Sequence, residues 1–257
     1  MHTSLNYSGK VVIVTGGGKG VGRGISERFL SLGAQVFICG RSEPETLPKS
    51  GDNHAIFDTV DLRDADAIFK YVEHIAETHG HIDVLINNAG GAPAADAASV
   101  SPRFSESIIR LNLLAPLNFS QACNAVMQKQ EGGGAIINIA SVSAVRPSPG
   151  TAAYGAAKAG LVNLTTSLAV EWAPKVRTNA IIAGLIRTEQ AHLHYGDEAG
   201  IRAVANTIPL GRLALPQDIG DACVFLASDL ASYISGSTLT VHGGGEKPAF
   251  LSAANTE

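Results

Sequence analysis

Four polar side chains have the residue types needed to move a proton. Tyr154 and Lys158 are four residues apart in a helical segment, so they share one helix face. Ser141 ends the apolar run GAIINIAS, and Asn112 lies within the helical pattern RLNLLAP. A Tyr-x3-Lys pair is common by chance, a lone tyrosine is usually packed, and a serine at a strand end is usually a cap. The four residues in combination predict an acid–base site.

Tyr154 can exchange a proton near neutral pH only if its environment makes the phenol more acidic. An ordinary tyrosine has a pKa near 10, so the required shift is about 3 units, or ~4 kcal/mol. An ammonium group ~5 Å away supplies less than ~1 kcal/mol in bulk water but about 3 kcal/mol at an effective dielectric constant of about 20. We therefore expect Lys158 to lower the pKa of Tyr154 only if the bound cofactor and substrate exclude water.

A glycine-rich turn near the start of the chain predicts a phosphate-binding site. The strand VVIVT leads into the segment GGGKGVG, and a helical pattern follows. Free N–H groups and the positive dipole end of a helix suit a pyrophosphate, and glycine permits its close approach. The spacing is G-x3-G-x-G at Gly16, Gly20 and Gly22, which fits neither G-x-G-x-x-G nor a P-loop. A tight structural turn is the plainer alternative, but the position after the first strand favours a dinucleotide.

The end of the second predicted strand indicates which dinucleotide. A site that prefers NAD carries an acidic side chain here, and Gly40 supplies none. Arg41 and Lys19 could instead bind a 2′-phosphate, with Ser42 beside them. A hydrogen bond to a charged group contributes about 1.5–3 kcal/mol, roughly a tenfold to hundredfold preference. We predict NADP(H) over NAD(H), which stays possible; a solvated Arg41 is the alternative.

Short β-branched runs alternate with longer amphipathic stretches and must position these residues. This rhythm predicts one α/β domain, 1–257, of the Rossmann type, with a doubly wound parallel sheet and helices on both faces. The predicted strands are Val11–Thr15, Gln35–Gly40, Ala55–Val60, Val84–Asn87, Ala135–Ala140, Val176–Ile182 and Thr238–Val241. The predicted helices are Gly22–Leu32, Ala65–His79, Pro102–Gln130, Tyr154–Ala173 and Pro216–Ser228.

Composition excludes several other classes of function. The net charge is −4 and there is no basic tract, which argues against nucleic acid as a partner. The polar first ten residues and the short apolar runs predict no signal peptide and no membrane span, and hence a cytoplasmic protein. Three dispersed cysteines without a CxxC pair predict neither disulfides nor a metal site. Only 16% of residues are charged, against about 25% in typical domains, which suggests coverage by other subunits.

From end to end the chain resembles a short-chain dehydrogenase/reductase. The resemblance rests on TGGGKGVG, Asp61-Leu62, NNAG at Asn87–Gly90, YGAAK and a Gly-Gly-Gly near Gly243, together with the serine and asparagine above. It implies seven parallel strands in the order 3-2-1-4-5-6-7 and a homotetramer, or a homodimer, built on the helices Pro102–Gln130 and Tyr154–Ala173. It also supports NADP(H), because in that family a lysine in the glycine turn and an arginine after strand two accompany it.

The resemblance also implies a role for each residue. Hydride would pass between the nicotinamide and a carbonyl carbon, and the catalytic residues would be Asn112, Ser141, Tyr154 and Lys158. Tyr154 would be the acid or base and Ser141 would hold the carbonyl oxygen. Lys158 would bind the nicotinamide ribose, and Asn112 would hold a water of the proton relay. The expected cofactor-binding residues are Gly16, Lys19, Gly20, Val21, Gly22, Arg41, Ser42, Asp61, Leu62, Asn88, Ala89, Gly90, Tyr154, Lys158, Gly184, Ile186 and Thr188.

Some of these contacts have alternatives. Asp61 would hold the adenine, or would be a solvated helix cap. Ala183 stands where relatives usually have proline, so we expect a less rigid loop before Ile186. Residues 189–208 are predicted to form a substrate lid, and 246–257 a tail ordered by a neighbouring subunit. The histidines of the lid, His192 and His194, are interpreted as surface residues, not metal ligands.

The substrate is expected to be a small carbonyl compound or alcohol. The chain most resembles reductases of 3-oxoacyl thioesters, notably in PLGRLALPQDIGDACVFLASD. A hydroxysteroid or hydroxyacyl-CoA dehydrogenase is the alternative. Arg146, Arg187 and Arg202 are candidates for binding an anionic carrier. A non-catalytic nicotinamide-binding sensor is a further alternative, which would leave the four catalytic residue types unexplained.

Overall fold

Seven parallel strands form the central sheet in the computed structural model, which describes residues 5–254 except the Ser252 side chain. The chain runs through β1 (Val11–Thr15), β2 (Gln35–Gly40), the short hairpin β3 (Lys49–Ser50) and β4 (Asn53–His54), β5 (Ile56–Thr59), β6 (Val84–Asn87), β7 (Gly134–Ser141), β8 (Val176–Ala183) and β9 (Thr238–Val241). The sheet order is β5-β2-β1-β6-β7-β8-β9. Without the hairpin this is 3-2-1-4-5-6-7, which confirms the predicted order.

Helices cover both faces of the sheet because its strands are apolar on both sides. In β1, Val12 and Val14 enter one core cluster, whereas Val11 and Ile13 enter the other. The helices are α1 (Gly20–Ser31), α2 (Ala65–His79), α3 (Pro102–Ile109), α4 (Ala115–Met127), α5 (Ala152–Glu171), α6 (His192–Tyr195), α7 (Glu198–Ala205), α8 (Pro216–Ala227) and α9 (Ala249–Ala253). Helices α1 and α8 pack on the first cluster, α2 and α4 on the second.

The predicted helix Pro102–Gln130 is interrupted. A π-helical turn at Arg110–Leu114 joins α3 to α4 and contains Asn112. Such turns are frequent at functional sites. The apolar periodicity of the segment continues through the interruption, which is why the sequence pattern alone does not show it.

The predicted lid has a small apolar cluster of its own. Ala191, Ile201, Ile208 and Leu213 form it, apart from the two clusters on the sheet. The predicted tail lies against this segment, since the backbone N–H of Lys247 donates to the Thr207 carbonyl at 2.9 Å. Residues 255–257 of the predicted tail lie outside the described residues. Within residues 5–254, no helix is both long and apolar enough to span a bilayer.

Candidate functional site

The glycine turn after β1 forms a cradle at the point where the strand order reverses. Gly16 and Gly20 have φ angles of +63° and +54°, which glycine adopts readily and other residues do not. A Cβ on Gly22 would collide with the Gly16 carbonyl and the Asn88 side chain. Helix α1 begins at Gly20, two residues earlier than expected, and its N-cap Lys19 makes no side-chain capping bond. The cradle therefore fits the pyrophosphate of a dinucleotide.

Residues after β6 bind this turn directly. The Asn88 amide donates to the carbonyls of Thr15 at 3.0 Å and Gly16 at 3.3 Å. The Thr15 hydroxyl accepts the backbone N–H groups of Asn88 and Ala89, each at 3.0 Å. Thr15 thus positions two predicted cofactor contacts. In the sequence Thr15 stands out only as part of a motif, because its role depends on two strands that are adjacent in space and distant in sequence.

At the adenine end, the predicted phosphate ligands are exposed. Lys19, Arg41 and Ser42 all face solvent. The loop that carries Arg41 is anchored, because Arg23 of α1 donates to the Thr46 carbonyl at 3.0 Å. A Cβ on Gly40 would meet only a Phe57 ring carbon, at 3.9 Å, so this position has room for a side chain.

Asp61 is not free in this structure. Its carboxylate pairs with Arg63 at 3.1 Å, and this side-chain hydrogen bond, more than any other contact, holds the pKa of Asp61 below its usual value. Asp64, and not Asp61, caps α2, since it accepts the Ala67 N–H. The side chain of Leu62 is buried in the core, which leaves its backbone for a ligand.

At the other end of the cleft, Lys158 is buried against strand β7. Its side chain is 2% exposed, and the amine donates to the Ile139 carbonyl at 2.8 Å. Burial lowers its pKa from 10.5 to about 8. A Cβ on Gly90 would lie 3.1 Å from this amine and 2.5 Å from Asn112 Oδ1. The structure thus brings together Gly90, Asn112 and Lys158.

Tyr154 completes the cluster, with its ring centroid 5.7 Å from the Lys158 amine. Burial raises the pKa of Tyr154, and a hydrogen bond with the Ser141 side chain acts in the opposite direction. Burial has this effect because it disfavours the phenolate as well as the ammonium. The expected lowering of the pKa by Lys158 belongs to the state with cofactor and substrate bound, so it stays a prediction. In the ligand-free protein the phenol carries its proton.

Ser141 and Asn112 are both held by local bonds. Ser141 caps a 3₁₀ turn by accepting the Ser143 N–H at 3.2 Å, so its capping role coexists with its contact to Tyr154. Both amide hydrogens of Asn112 are used, by the carbonyls of Gly91 at 3.0 Å and Ile108 at 2.9 Å. A relay water would therefore need the Asn112 main chain or its side-chain oxygen.

Beneath the cluster lies a polar network that the sequence analysis missed. Asn87 donates to Ser120 at 2.9 Å and to Asn138 at 2.8 Å, and Asn138 donates to Thr165 of α5 at 2.9 Å. All four side chains are fully or almost fully buried. The network joins β6 and β7 to α4 and α5, the helix that carries Tyr154 and Lys158. Apart from Asn87 of the NNAG motif, its members are ordinary strand and helix residues in the sequence, so only the fold identifies the network.

The segment after β8 is paired, contrary to the looser loop expected from Ala183. Ala183 is the last residue of β8 and pairs with Ser141 on one side and Val241 on the other. The Gly184 N–H donates to the Val241 carbonyl at 2.9 Å, and Ile186 bridges to Ala214. Without a proline ring, the residue simply extends the strand. Thr188 then lies over the glycine turn, its methyl group 3.7 Å from where a Gly20 Cβ would be.

The candidate carrier-binding arginines are largely paired. Arg146 pairs with Glu246 and Arg187 with Glu198, each at 2.9 Å. Among the described residues, no three His, Cys, Asp or Glu side chains are grouped as metal ligands.

Known proteins with similar sequences and structures are oxidoreductases. A family model described as enoyl-(acyl carrier protein) reductase matches residues 16–246. A 3alpha-hydroxysteroid dehydrogenase from Mediterraneibacter gnavus is 35% identical over 91% of this chain and 96% of its own length. A 3-oxoacyl-[acyl-carrier-protein] reductase from Chlamydia trachomatis is also 35% identical, over 91% of this chain and 96% of its own length. The ligand-free aldohexose dehydrogenase of Thermoplasma acidophilum superposes with a TM-score of 0.85 at 32% identity, covering 98% of this chain and 97% of that one.

These matches extend over nearly the whole chain. The sheet order agrees with them, and so do the glycine cradle and the residues grouped around Tyr154. The chain belongs to the short-chain dehydrogenase/reductase family of oxidoreductases.

Proposed function

We propose that the protein is an NADP(H)-dependent oxidoreductase that interconverts a ketone and a secondary alcohol. The observation that carries this proposal is the convergence of Ser141, Tyr154 and Lys158 beside a glycine cradle. The cofactor, when bound, would supply or accept the hydride. The exposed cations Lys19 and Arg41, and the absence of an acid at Gly40, support a 2′-phosphate over a free hydroxyl.

The chain's own residues would handle the proton. Tyr154, protonated in the ligand-free state, would donate to the carbonyl oxygen. Ser141 would orient that oxygen through its hydroxyl, the group that is hydrogen-bonded to Tyr154 in the ligand-free protein. Lys158 would stabilise the phenolate left behind, because its amine lies 5.7 Å from the ring centroid and the Coulomb attraction between opposite charges is strong in a buried site. The raised pKa of Tyr154 keeps the phenol protonated at neutral pH, which is the form needed to donate to a carbonyl oxygen.

The cleft beside Tyr154 supports a compact apolar substrate. Its volume is about 70 Å³, below the usual range for ligand pockets, so it has room only for a small group. Its walls come from the loop after β6, from α3 and from the start of α5, and the Ala95 N–H joins two of them by donating to the Gly150 carbonyl at 2.8 Å. The lining side chains are mainly small and apolar, among them Ala92, Ala95, Ala97, Ala152 and Ala153. We therefore favour a 3-oxoacyl thioester with a short chain, or a related ketone.

A hydroxysteroid is the second candidate, because one similar protein is named for that activity. Assembly into a homotetramer is also part of the proposal. It is supported by large apolar side chains on the surface, such as Val170 and the fully exposed Tyr233.

Turnover of a substrate panel tests the proposal. NADPH or NADH oxidation is followed with short and long 3-oxoacyl thioesters, simple ketones, a 3-oxosteroid and an aldohexose-derived ketone. We expect turnover with NADPH, fastest with a short-chain 3-oxoacyl thioester, and at least tenfold lower kcat/KM with NADH. Preference for NADH would overturn the cofactor assignment. Cofactor binding without any turnover would favour the sensor.

A further inference from the structure

The first turn of helix α1 is capped by a residue far away in the sequence. The backbone N–H of Gly20 donates to Glu189 Oε1 at 2.9 Å, across 169 residues. Gly20 is the first residue of α1, where backbone N–H groups have no partner inside the helix. The residue in the N-cap position, Lys19, provides no side-chain cap. The carboxylate of Glu189 therefore satisfies a donor that the local sequence leaves free.

This donor belongs to the proposed pyrophosphate site. The positive dipole end and the free amides of one helix N-terminus attract each of two anions. The two anions repel each other, so they compete for this position. On the basis of the proposed function, we propose that Glu189 is an internal competitor for the pyrophosphate. Its carboxylate occupies the cradle in the free protein and is displaced when the dinucleotide binds.

The surroundings of Glu189 allow such a displacement. The backbone is held just before it, because the Arg187 N–H donates to the Ala214 carbonyl at 2.8 Å. The side chain of Arg187 is paired with Glu198 at 2.9 Å, so the nearest cation in sequence is already engaged. Beyond this point an open cleft of about 490 Å³ separates the start of the lid from α8, and Glu189 lines it.

The displacement would also connect the cofactor site to the substrate lid. Glu189 is the first residue of the predicted lid, and its carbonyl is bonded to His192 Nδ1 of α6 at 3.1 Å. A shift of Glu189 would therefore be passed to α6. The residue thus sets cofactor affinity and positions the lid, without touching the reacting atoms.

Binding of NADPH to the cofactor-free protein tests the inference without turnover. In Glu189→Gln the amide can still accept a hydrogen bond, but its charge is gone, so the competition weakens. The contact is exposed, and a helix-terminal charge there corresponds to about a twofold to fivefold change. We expect the Kd for NADPH, measured by fluorescence titration, to fall by this factor. Inorganic pyrophosphate, measured as a competitor of NADPH, should gain the same factor.

The control is Glu73→Gln, which removes the same charge from an exposed position of α2, leaves the Arg187–Glu198 pair intact and should change Kd less than twofold. A purely structural cap predicts the opposite sign, because loss of the cap would weaken both the cofactor-free fold and the binding site. We therefore expect Glu189→Gln to melt at a lower temperature than wild type without cofactor while binding NADPH more tightly. Unchanged or weaker binding overturns the inference alone. If wild type binds neither NADPH nor NADH, the proposed function fails as well.

Discussion

The two ends of the proposed cofactor cleft are built on different physical principles. At the proposed proton-transfer end, Lys158 and Asn112 are buried, and backbone groups hold their polar atoms at 2.8–3.0 Å. At the adenine end, Lys19 and Arg41 are exposed on loops. Charges in the buried end interact strongly and carry a large desolvation cost, whereas exposed charges are screened by water and salt. Substitutions should therefore have large, geometry-dependent effects at one end and modest ones at the other.

The largest effect is expected for Tyr154→Phe, which removes only the phenolic oxygen. General acid–base catalysis contributes about 10²–10⁴-fold, so kcat for ketone reduction should fall by about 10³-fold. The ring is kept, so the melting temperature and the Kd for NADPH should stay close to wild type. Steady-state kinetics and fluorescence titration measure the two quantities.

The matched control for this variant is Tyr195→Phe, which removes the hydroxyl of a half-buried lid tyrosine and should change kcat by less than tenfold. Activity retained in Tyr154→Phe would show that another group moves the proton. Loss of NADPH binding in that variant would show instead that the hydroxyl is needed to build the cleft.

The buried amine of Lys158 should leave a signature in the pH dependence of stability. Its pKa is about 8 in the folded protein against 10.5 for the ordinary side chain. Between these values the unfolded chain binds a proton that the folded chain does not, so the free energy of unfolding rises with pH. From pH 7 to pH 10 this gain is about 2–3 kcal/mol, and Lys158→Met should lack it.

Chemical denaturation of wild type and Lys158→Met across this range measures the difference directly. The exposed Lys175 offers a control, since Lys175→Met should keep the wild-type pH dependence. Parallel curves for wild type and Lys158→Met would mean that the amine is not buried as the structure describes.

The same contrast explains what the sequence could predict. The strands and the cradle were predictable because local rules determine them, namely apolar runs for β1 and β7 and backbone conformations that require glycine at Gly16 and Gly20. The π-helical turn at Asn112 was not, since it depends on bonds to Gly91 in a distant loop. The contact of Glu189 with Gly20 and the network through Asn138 depend equally on partners chosen by the fold.

The direction of the Tyr154 pKa shift shows a second limit. The sequence places an amine near the phenol and so predicts stabilisation of the phenolate. It does not show how much water the fold removes from both groups, and this loss of water controls the pKa values of Tyr154 and Lys158 in the ligand-free protein. The proximity of Tyr154 and Lys158 was thus predictable, while the effect of burial on their pKa values was not.

The smallest effect is expected at the exposed end, for Arg41→Ala. Loss of one screened contact to a 2′-phosphate should raise the KM for NADPH by about tenfold and leave the KM for NADH unchanged, because NADH has no such phosphate. Arg103→Ala, in the exposed first turn of α3, controls for the loss of one positive charge and should alter neither KM. A second variant, Gly40→Asp, fits the space at that position and should lower the KM for NADH through the ribose hydroxyls. If Arg41→Ala raised both KM values equally, the arginine would support the loop and not select the phosphate, and the contrast between the two ends would lose its electrostatic basis.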